Sequence, residues 1–369
     1  MASLFRSARV LRAPFGLAPW ALVAPVLALC AIGLGKPEGL AATVVVAVLL
    51  GSAIMAAVYH AETIAHHLGE PFGTLTLALA VTVIEVSLIV SIMLAEGAQA
   101  QALARDTLMA AVMITINGIV GICLLAGGRR HHEQSYTQSG VSAGLAMLAT
   151  LSVLTLVLPN FTTSARGAFY TDQQLLFVAV VSVIIYGTFV VAQTIRHRDH
   201  FLYNIEDADD HAHEQPVAPA KAAASGLLLL VALVGVVLLA KNLSPIIESA
   251  VADAGAPRAL VGIIIAALVL APEAFAALRA ARANRVQTSL NLAIGSALAS
   301  IGLTIPAVAL VALLLGLELE LGLSMRSTVI LALTLLVATL TLSSGRTTVV
   351  QGVIHLVIFA TFLFTTIFP

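Results

Sequence analysis

Long apolar runs separated by short polar stretches make up most of this chain. A helix needs about 20 mostly apolar residues to cross a lipid bilayer. By that measure the sequence predicts about eleven spanning helices, near residues 18–34, 39–67, 71–95, 107–126, 140–159, 173–194, 223–243, 256–278, 287–316, 325–343 and 347–368. The short alternating pattern of a membrane barrel is missing from the sequence, so we predict an all-α polytopic membrane protein.

One extended polar stretch divides these segments into groups. We predict an N-terminal segment with the first helix over residues 1–37, a five-helix block over 38–195, a cytoplasmic linker over 196–221 and a second five-helix block over 222–369. An odd number of helices per block inserts the second block upside down relative to the first. The expected architecture is therefore one extra N-terminal helix plus two inverted five-helix repeats.

Composition and charge agree with the membrane class. Hydrophobic residues make up 60% of the 369 positions and charged residues only 10%, and the mean hydropathy is +1.03. A soluble domain would carry about a quarter charged residues. Basic residues are scattered between apolar segments, which excludes a nucleic-acid surface and leaves the lipid bilayer as the expected partner. Cys30 and Cys123 both fall in apolar segments, where packing is favoured over a disulfide or a metal site.

The positions of Lys and Arg predict an orientation. Of the 18 basic residues, twelve lie at the N-terminus or after even-numbered helices, and six lie on the other side. Because cytoplasmic loops carry an excess of Lys and Arg, we expect the N-terminus in the cytoplasm and the C-terminus outside.

Two glutamates lie in the middle of apolar segments that occupy corresponding places in the two blocks. Glu85 falls in the second helix of the first block and Glu273 in the second helix of the second block. A carboxylate in hydrocarbon is costly, so such residues usually face the bundle interior and mark an ion or proton path. The pair predicts a cation transporter in which both glutamates bind the transported cation and protons.

The neighbours of these glutamates favour a hard cation. Thr82 lies three residues before Glu85 and so on roughly the same helix face. Pro272 directly precedes Glu273, and a proline inside a helix frees the carbonyl of an earlier turn as a further oxygen donor. Ca²⁺ and Na⁺ prefer oxygen ligands, and two carboxylates match a divalent charge. His and Cys ligands are missing from the sequence at that depth, which argues against zinc or copper.

Other interpretations of the polar residues stay open. Each glutamate alone fits a structural ion pair, with Lys241 as the main candidate partner, and Glu62 fits a gate and an exposed helix end equally well. Buried amides and hydroxyls bond a neighbouring helix more often than an ion. The amides and hydroxyls in the helices that follow those of Glu85 and Glu273 are therefore second-choice ligands, ranked below the acids. These residues are Asn117, Asn291, Ser296 and Ser300. His355 is a lone imidazole that fits a structural role better than a proton relay.

The linker has a charged and histidine-rich centre. The simpler interpretation of this centre is a solvated flexible segment. The more specific interpretation is a weak regulatory site for divalent cations, since carboxylates and imidazoles are metal ligands. The residues concerned are Glu206, Asp207, Asp209, Asp210, His211, His213 and Glu214.

Four short motifs carry a resemblance to a known family. They are GEPFG over Gly69–Gly73, VIEVSLI over Val83–Ile89, LAPE over Leu270–Glu273 and NLAIGS over Asn291–Ser296. From about the second helix to the C-terminus the chain resembles the bacterial calcium/proton antiporters of the cation/Ca²⁺ exchanger superfamily, most closely the branch that also exchanges sodium or potassium for protons. The resemblance implies a bacterial inner membrane location.

The family pattern also implies roles for individual residues. In that family each repeat has a Gly-Asn-x-x-Glu type motif whose glutamate binds the cation and exchanges protons, and these acids match Glu85 and Glu273. The asparagine of the motif is replaced here by Thr82 and Leu270, which puts amide ligation at these places in doubt. Glu62 matches a further acid of calcium exchangers, whereas Lys241 stands at the corresponding place in the second repeat. A positive charge there opposes a second Ca²⁺ and favours monovalent ions or a changed proton stoichiometry. The family also has an acidic segment between its repeats, which the linker resembles.

The function expected from these observations is exchange of Ca²⁺, and also of Na⁺ or K⁺, for protons. The alternative is a Na⁺ or K⁺/proton antiporter with little Ca²⁺ transport. No cofactor is expected beyond the transported ions, and the sequence leaves the oligomeric state open.

A channel or an enzyme is less favoured. A channel would use a ring of ligands from repeated subunits instead of an internal pair. For a hydrolase built from Ser296 and His355, the sequence lacks a recognisable nucleophile turn. For a metalloprotease, the candidate residues do not have the H-E-x-x-H spacing. These candidates are His60, Glu62, His66 and His67.

Overall fold

The helices begin and end close to where the apolar runs do. The computed structural model describes residues 16–33, 35, 37, 39–69, 72–201 and 217–368. Its eleven membrane-length or shorter apolar helices are α1 (Pro19–Ile32), α2 (Gly39–Leu68), α3 (Phe72–Glu96), α4 (Leu103–His131), α5 (Gln138–Phe161), α6 (Asp172–Arg196), α7 (Pro219–Asp253), α8 (Ala259–Arg282), α9 (Val286–Leu315), α10 (Met325–Thr341) and α11 (Val349–Ile367). The prediction of an all-α membrane protein with about eleven spans is confirmed.

The main difference from the prediction is at the end of α7. That helix continues to Asp253, whereas its apolar run ends near residue 243. Lys241 and Pro245 both lie inside this helix, which therefore continues beyond its apolar run. Within the described part of the chain, nine helices are long and apolar enough to cross a membrane, and α1 and α10 are shorter.

Packing divides the described helices into two compact units. Unit 1 comprises residues up to Ala80 and residues 215–243, and unit 2 comprises 81–214 and 244–369. These units do not coincide with the predicted blocks, so the division into 1–37, 38–195, 196–221 and 222–369 is not decided by packing and stays a prediction.

In unit 1, α1 packs on α2 through small side chains, and His60 of α2 makes a polar contact with α1. Pro25 lies inside α1 and has no N–H to offer the carbonyl of Ala21 four residues earlier. The Nε2 atom of His60, which is fully buried on α2, lies 2.9 Å from that carbonyl oxygen. Because a carbonyl only accepts, Nε2 is the protonated nitrogen, and His60 satisfies the group that the proline leaves open.

In unit 2, α4 is the central helix. The apolar window of this span is 83% buried, against 28% for α11. It contacts α8, α9, α10 and α11. Close approach to α11 depends on Gly121, since a Cβ atom there would lie 2.9 Å from Cγ of Leu356.

Loops that follow even-numbered helices meet at one end of unit 2. The strand after α4, β1 (Gln134–Ser135), pairs antiparallel with the strand after α10, β2 (Arg346–Thr347). The side chain of Gln134 also donates to the carbonyl of Ala281 at 3.0 Å and to Oδ1 of Asn284 at 3.0 Å, which lie where α8 ends.

Loops that follow odd-numbered helices meet at the other end of unit 2. The backbone N–H of Glu320, after α9, donates to the carbonyl of Gln101, after α3, and Gly322 donates to Ala168, after α5. Arg105 at the start of α4 also pairs with Asp106 and Glu320. Helices α4 and α9, which are the third spans of the two blocks, therefore run in opposite directions, as an inverted arrangement requires.

Candidate functional site

The side chain of Glu85 is buried inside unit 2. It lies in the middle of α3 and is 2% exposed. Its Oε2 atom accepts a hydrogen bond of 2.7 Å from the hydroxyl of Thr304, and the hydroxyl of Ser300 lies near this carboxylate. Thr82, one turn earlier on α3, is buried as well, as expected for a residue on the same face. Hydroxyl oxygens from α9 thus approach an intramembrane carboxylate directly.

Both hydroxyls come from an irregular turn of α9. Residues Ser300–Thr304 form a π-helical turn, and such turns are frequent at functional sites. Ser300 and Thr304 are its first and last residues. Pro306 follows closely and has no N–H for the carbonyl of Gly302. The turn therefore places two hydroxyl groups in the middle of the helix, and we name it the α9 π turn.

Tight packing with α6 holds the α9 π turn in place. Gly302 lies against Tyr186, and a Cβ atom on this glycine would lie 2.7 Å from Cβ of the tyrosine. The tyrosine is itself buried. Only glycine permits this close approach, so the position of the hydroxyls depends on the fit between Gly302 and Tyr186.

Glu273 has a different environment. It lies on α8 directly after Pro272, its side chain is partly buried, and its Oε2 atom is buried. Helix α8 packs against α4 and against α9. Since Thr304 of α9 bonds Glu85, the helices that carry the two acids contact the same span, which is the arrangement expected of a shared site.

A second π turn lies in α4, at the place that corresponds to the turn in α9. It spans Met113–Ile119, and we name it the α4 π turn. It packs against α8 and against α9. Its fifth residue is Asn117, as Thr304 is the fifth of the other turn. Helices α5 and α6 also contain π turns near their C-terminal ends.

The amide of Asn117 bonds neighbouring helices. Its Nδ2 donates to the hydroxyl of Thr334 on α10 at 2.8 Å, and its Oδ1 lies 3.0 Å from Nδ1 of His355 on α11. The sequence had placed Asn117 among the second-choice ligands and had not connected it to His355. Only the packing of α4 on α11 shows this link.

The other second-choice ligands on α9 lie before its π turn. The amide of Asn291 accepts from Gln287 at 2.9 Å and donates to the carbonyl of Phe201 at 2.7 Å. Ser296 is partly buried, one turn before Ser300. Thr304, which bonds Glu85 directly, was missed by the sequence analysis. Its four-residue spacing from Ser300, just before Pro306, is the signal that could have found it.

The remaining candidates lie in unit 1 or in the linker. Glu62 on α2 and Lys241 on α7 are exposed. Nδ1 of His67 lies 2.7 Å from the carbonyl of Val217. In the parts of the chain that the structure describes, no group of three or more His, Cys, Asp or Glu side chains could hold a metal ion. The linker candidates lie outside the described residues, and they are Glu206, Asp207, Asp209, Asp210, His211, His213 and Glu214.

Comparison with known sequences gives matches over most of the chain. A profile of the family described as sodium/calcium exchanger protein matches residues 38–195 and 224–368, so that each match covers one five-helix block. The chain is 48% identical over 322 residues to y4hA of Sinorhizobium fredii, covering 87% of each protein. It is 37% identical over 351 residues to the sodium-potassium/proton antiporter ChaA of Escherichia coli, covering 93% of this chain and 95% of ChaA.

Comparison with solved structures supports the fold. The crystal structure of the H⁺/Ca²⁺ exchanger CAX superposes with a TM-score of 0.71 at 15% sequence identity, covering 93% of this chain and 86% of that one. At that identity the likeness concerns the arrangement of the helices alone.

Proposed function

This chain belongs to the sodium/calcium exchanger protein family, and on that premise we propose that it exchanges cations for protons across the membrane at Glu85 and Glu273. The observation that carries the proposal is the burial of Glu85, a carboxylate in the middle of a membrane-spanning helix with hydroxyl oxygens beside it. Burying an ionisable group in hydrocarbon is costly, and such groups usually serve an ion or proton path.

The donors around Glu85 suit a hard cation. The carboxylate, Thr304 and Ser300 supply oxygen atoms only, and we assign Thr82 as a further hydroxyl of the same site. Oxygen ligands are preferred by Ca²⁺, and imidazole or thiolate groups are preferred by many transition metals. The transported substrate is therefore a hard cation.

Exchange follows from competition at the same oxygens. A carboxylate oxygen that holds a proton is a poor cation ligand, and cation binding releases that proton. The effect is reciprocal, because each ligand changes the affinity for the other by the same factor. A cation loaded on one face of the membrane thus releases protons there, and protons loaded on the other face release the cation.

Alternating access then requires the two inverted blocks to move around this site. We infer that the end of unit 2 that carries the loops after even-numbered helices lies in the cytoplasm. Eight basic residues of unit 2 lie at that end and four lie at the other end. The eight are Arg129, Arg130, Arg196, Arg198, Arg279, Arg282, Arg285 and Arg346. That choice puts the N-terminus inside and the C-terminus outside, in a bacterial inner membrane. The carrier needs no cofactor, and its linker is the candidate regulatory segment.

Ca²⁺ is the first proposed substrate, with Na⁺ or K⁺ as additional ones, because two carboxylates match a divalent charge. The alternative is a monovalent antiporter with little Ca²⁺ transport. It is favoured by the 37% identity to a sodium-potassium/proton antiporter. We propose that the positive charge of Lys241 produces this preference for monovalent ions over Ca²⁺.

The test is proton movement in everted membrane vesicles that contain this protein and a pH-sensitive dye. After an imposed proton gradient, Ca²⁺, Na⁺ and K⁺ are added in turn. We expect a dye response to Ca²⁺ and a smaller one to Na⁺ or K⁺, and vesicles without the protein serve as the control. A response to the monovalent ions alone would establish the alternative, and no response to any cation would contradict exchange.

A further inference from the structure

His355 lies at the centre of a hydrogen-bond network in unit 2 that is buried except at Thr341, which is partly buried. His355 is 0% exposed, as are Asn117 and Thr334. Its Nδ1 lies 3.0 Å from Oδ1 of Asn117, and its Nε2 lies 2.8 Å from the hydroxyl of Thr341. The network joins the α4 π turn, α10 and α11 through side chains alone.

The direction of these hydrogen bonds follows from the donors. Asn117 uses Nδ2 to donate to Thr334, so its Oδ1 is an acceptor and Nδ1 of His355 carries the proton. In the neutral ring Nε2 is then an acceptor, and the hydroxyl of Thr341, which also lies 2.8 Å from the carbonyl oxygen of Val337, directs its single proton to the ring in that state. Every ring nitrogen of His355 has a partner while the imidazole is uncharged, as a buried histidine requires.

Close packing of the backbones of α4 and α11 keeps the imidazole of His355 within hydrogen-bond distance of Asn117. A Cβ atom at Gly121 would lie 3.2 Å from Cβ of His355, so α11 lies directly on α4 one turn after Asn117. His355 therefore lies on a fixed helix and contacts Asn117 across a tight interface.

Asn117 occupies a position where its orientation affects the site. It is the fifth residue of the α4 π turn, and Thr304, the fifth residue of the α9 π turn, bonds Glu85. The α4 π turn packs on α8, the helix of Glu273. A free amide can face either way, and the contacts with Thr334 and His355 together hold it in one orientation.

We propose that His355 is a positioning residue, which fixes the amide of Asn117 and the α4 π turn beside the helix of Glu273, and that it acts as a neutral hydrogen-bonding group. This inference rests on the proposed function, because its main readout is cation/proton exchange. The imidazole carries no transported proton in this role, so a non-titrating side chain with a donor and an acceptor will replace it.

The test compares His355→Gln with His355→Leu in reconstituted vesicles. Glutamine retains one donor and one acceptor, and leucine has neither. We expect His355→Gln to keep at least half of the wild-type rate with an unchanged pH profile. His355→Leu is expected to lose at least tenfold in rate and to raise the KM for the cation. Thr366→Val is the control, since Thr366 is buried on α11 and bonds only the carbonyl of Phe362 in its own helix.

A double variant tests whether His355 acts through Asn117. Adding His355→Leu to Asn117→Leu is expected to cause no further loss of exchange, because the contact is already gone. Additive losses would overturn the proposal. So would an inactive but monodisperse His355→Gln, or one with a shifted pH profile, since a non-titrating donor and acceptor would then fail to replace the imidazole. A normal KM and rate for His355→Leu would show that the residue positions nothing.

Failure of the proposed function is distinguishable from failure of this inference. If wild-type vesicles show no exchange, thermal unfolding in detergent still tests the contact. His355→Leu and Asn117→Leu are then expected to lower the Tm, and the double variant to lower it by less than the sum. Independent effects on the Tm would overturn the contact without reference to transport.

Discussion

The α4 and α9 π turns of unit 2 lie in the third spans of the two blocks and use their side chains in opposite ways. In the α9 π turn, Thr304 bonds the carboxylate of Glu85, and Ser300 lies near it. In the α4 π turn, the amide of Asn117 bonds Thr334 and His355 on α10 and α11. The third spans of the two blocks therefore have a similar backbone irregularity and different side-chain contacts at it.

The difference extends to the two acids. Glu85 is almost completely buried, whereas Glu273 is partly buried and follows a proline. Electrostatic interactions are stronger at low dielectric. At a buried carboxylate, the balance between proton and cation binding therefore depends more strongly on the side chains that contact it. We infer that the half of the site around Glu85 is the more sensitive to substitution.

The largest expected effect is that of Glu85→Gln. Glutamine keeps the volume and the contacts to Thr304 and loses the group that exchanges protons, so cation-driven proton flux in vesicles should be abolished. Glu133→Gln is the matched control, since Glu133 is exposed in the loop after α4, and its flux should remain close to wild type. Near-normal flux in a folded Glu85→Gln protein would contradict the role of this half of the site.

The next largest effect is expected for Gly302→Ala. The added methyl group would lie 2.7 Å from Tyr186 and must displace the α9 π turn. Because misplacing reacting groups by about 1 Å can cost as much as 100-fold in rate, we expect a loss of up to about 100-fold in exchange. The measurement is the initial rate of dye response in vesicles.

Gly295→Ala is the control for this substitution. Gly295 lies on the same helix, and an added Cβ would meet only Phe189, at 3.9 Å. Its exchange rate should change little. Equal losses in the two variants would mean that the fit between Gly302 and Tyr186 does not hold the hydroxyls.

A smaller effect is expected for Thr304→Val. Valine has a similar shape and no hydroxyl, so the 2.7 Å hydrogen bond to Glu85 is lost. Bonds to charged groups contribute about 1.5–3 kcal/mol, which corresponds to a change of about tenfold or more in cation KM. Thr304→Ser restores the hydroxyl and should recover most of the affinity; if it behaves like valine, the hydroxyl is not the important group.

The smallest effect is expected for Ser300→Ala. Ser300 is the second hydroxyl at the carboxylate, and Thr304 remains in place when it is removed. Polar contacts between membrane helices average about 0.6 kcal/mol, or about threefold in KM. A loss as large as that of Thr304→Val would show that the two hydroxyls contribute equally, and the two would then act as a pair.

The spans could be predicted from sequence because their signal is local. Apolar runs of about 20 residues and the two intramembrane acids are visible in the chain without any partner. The end of α7 was placed about ten residues early, because a helix can continue past its apolar run. Inversion followed from counting helices, and the opposite directions of α4 and α9 agree with it.

The details of the site depend on contacts between distant residues. Glu85 and Thr304 are 219 positions apart, and Asn117 and His355 are 238 positions apart. A single sequence contains no signal for such pairs. A π turn is equally hard to predict, since it adds one residue to a helical turn whose residues look like those of an ordinary helix.

Proton release on cation binding is the most direct test of competition at the two glutamates. The purified protein in detergent, in weakly buffered solution with a pH-sensitive dye, is titrated with Ca²⁺ and then with Na⁺ or K⁺. We predict that the wild-type protein releases protons when it binds the cation, and that Glu85→Gln and Glu273→Gln together release none. Equal proton release by the wild-type protein and by the double variant would contradict the account.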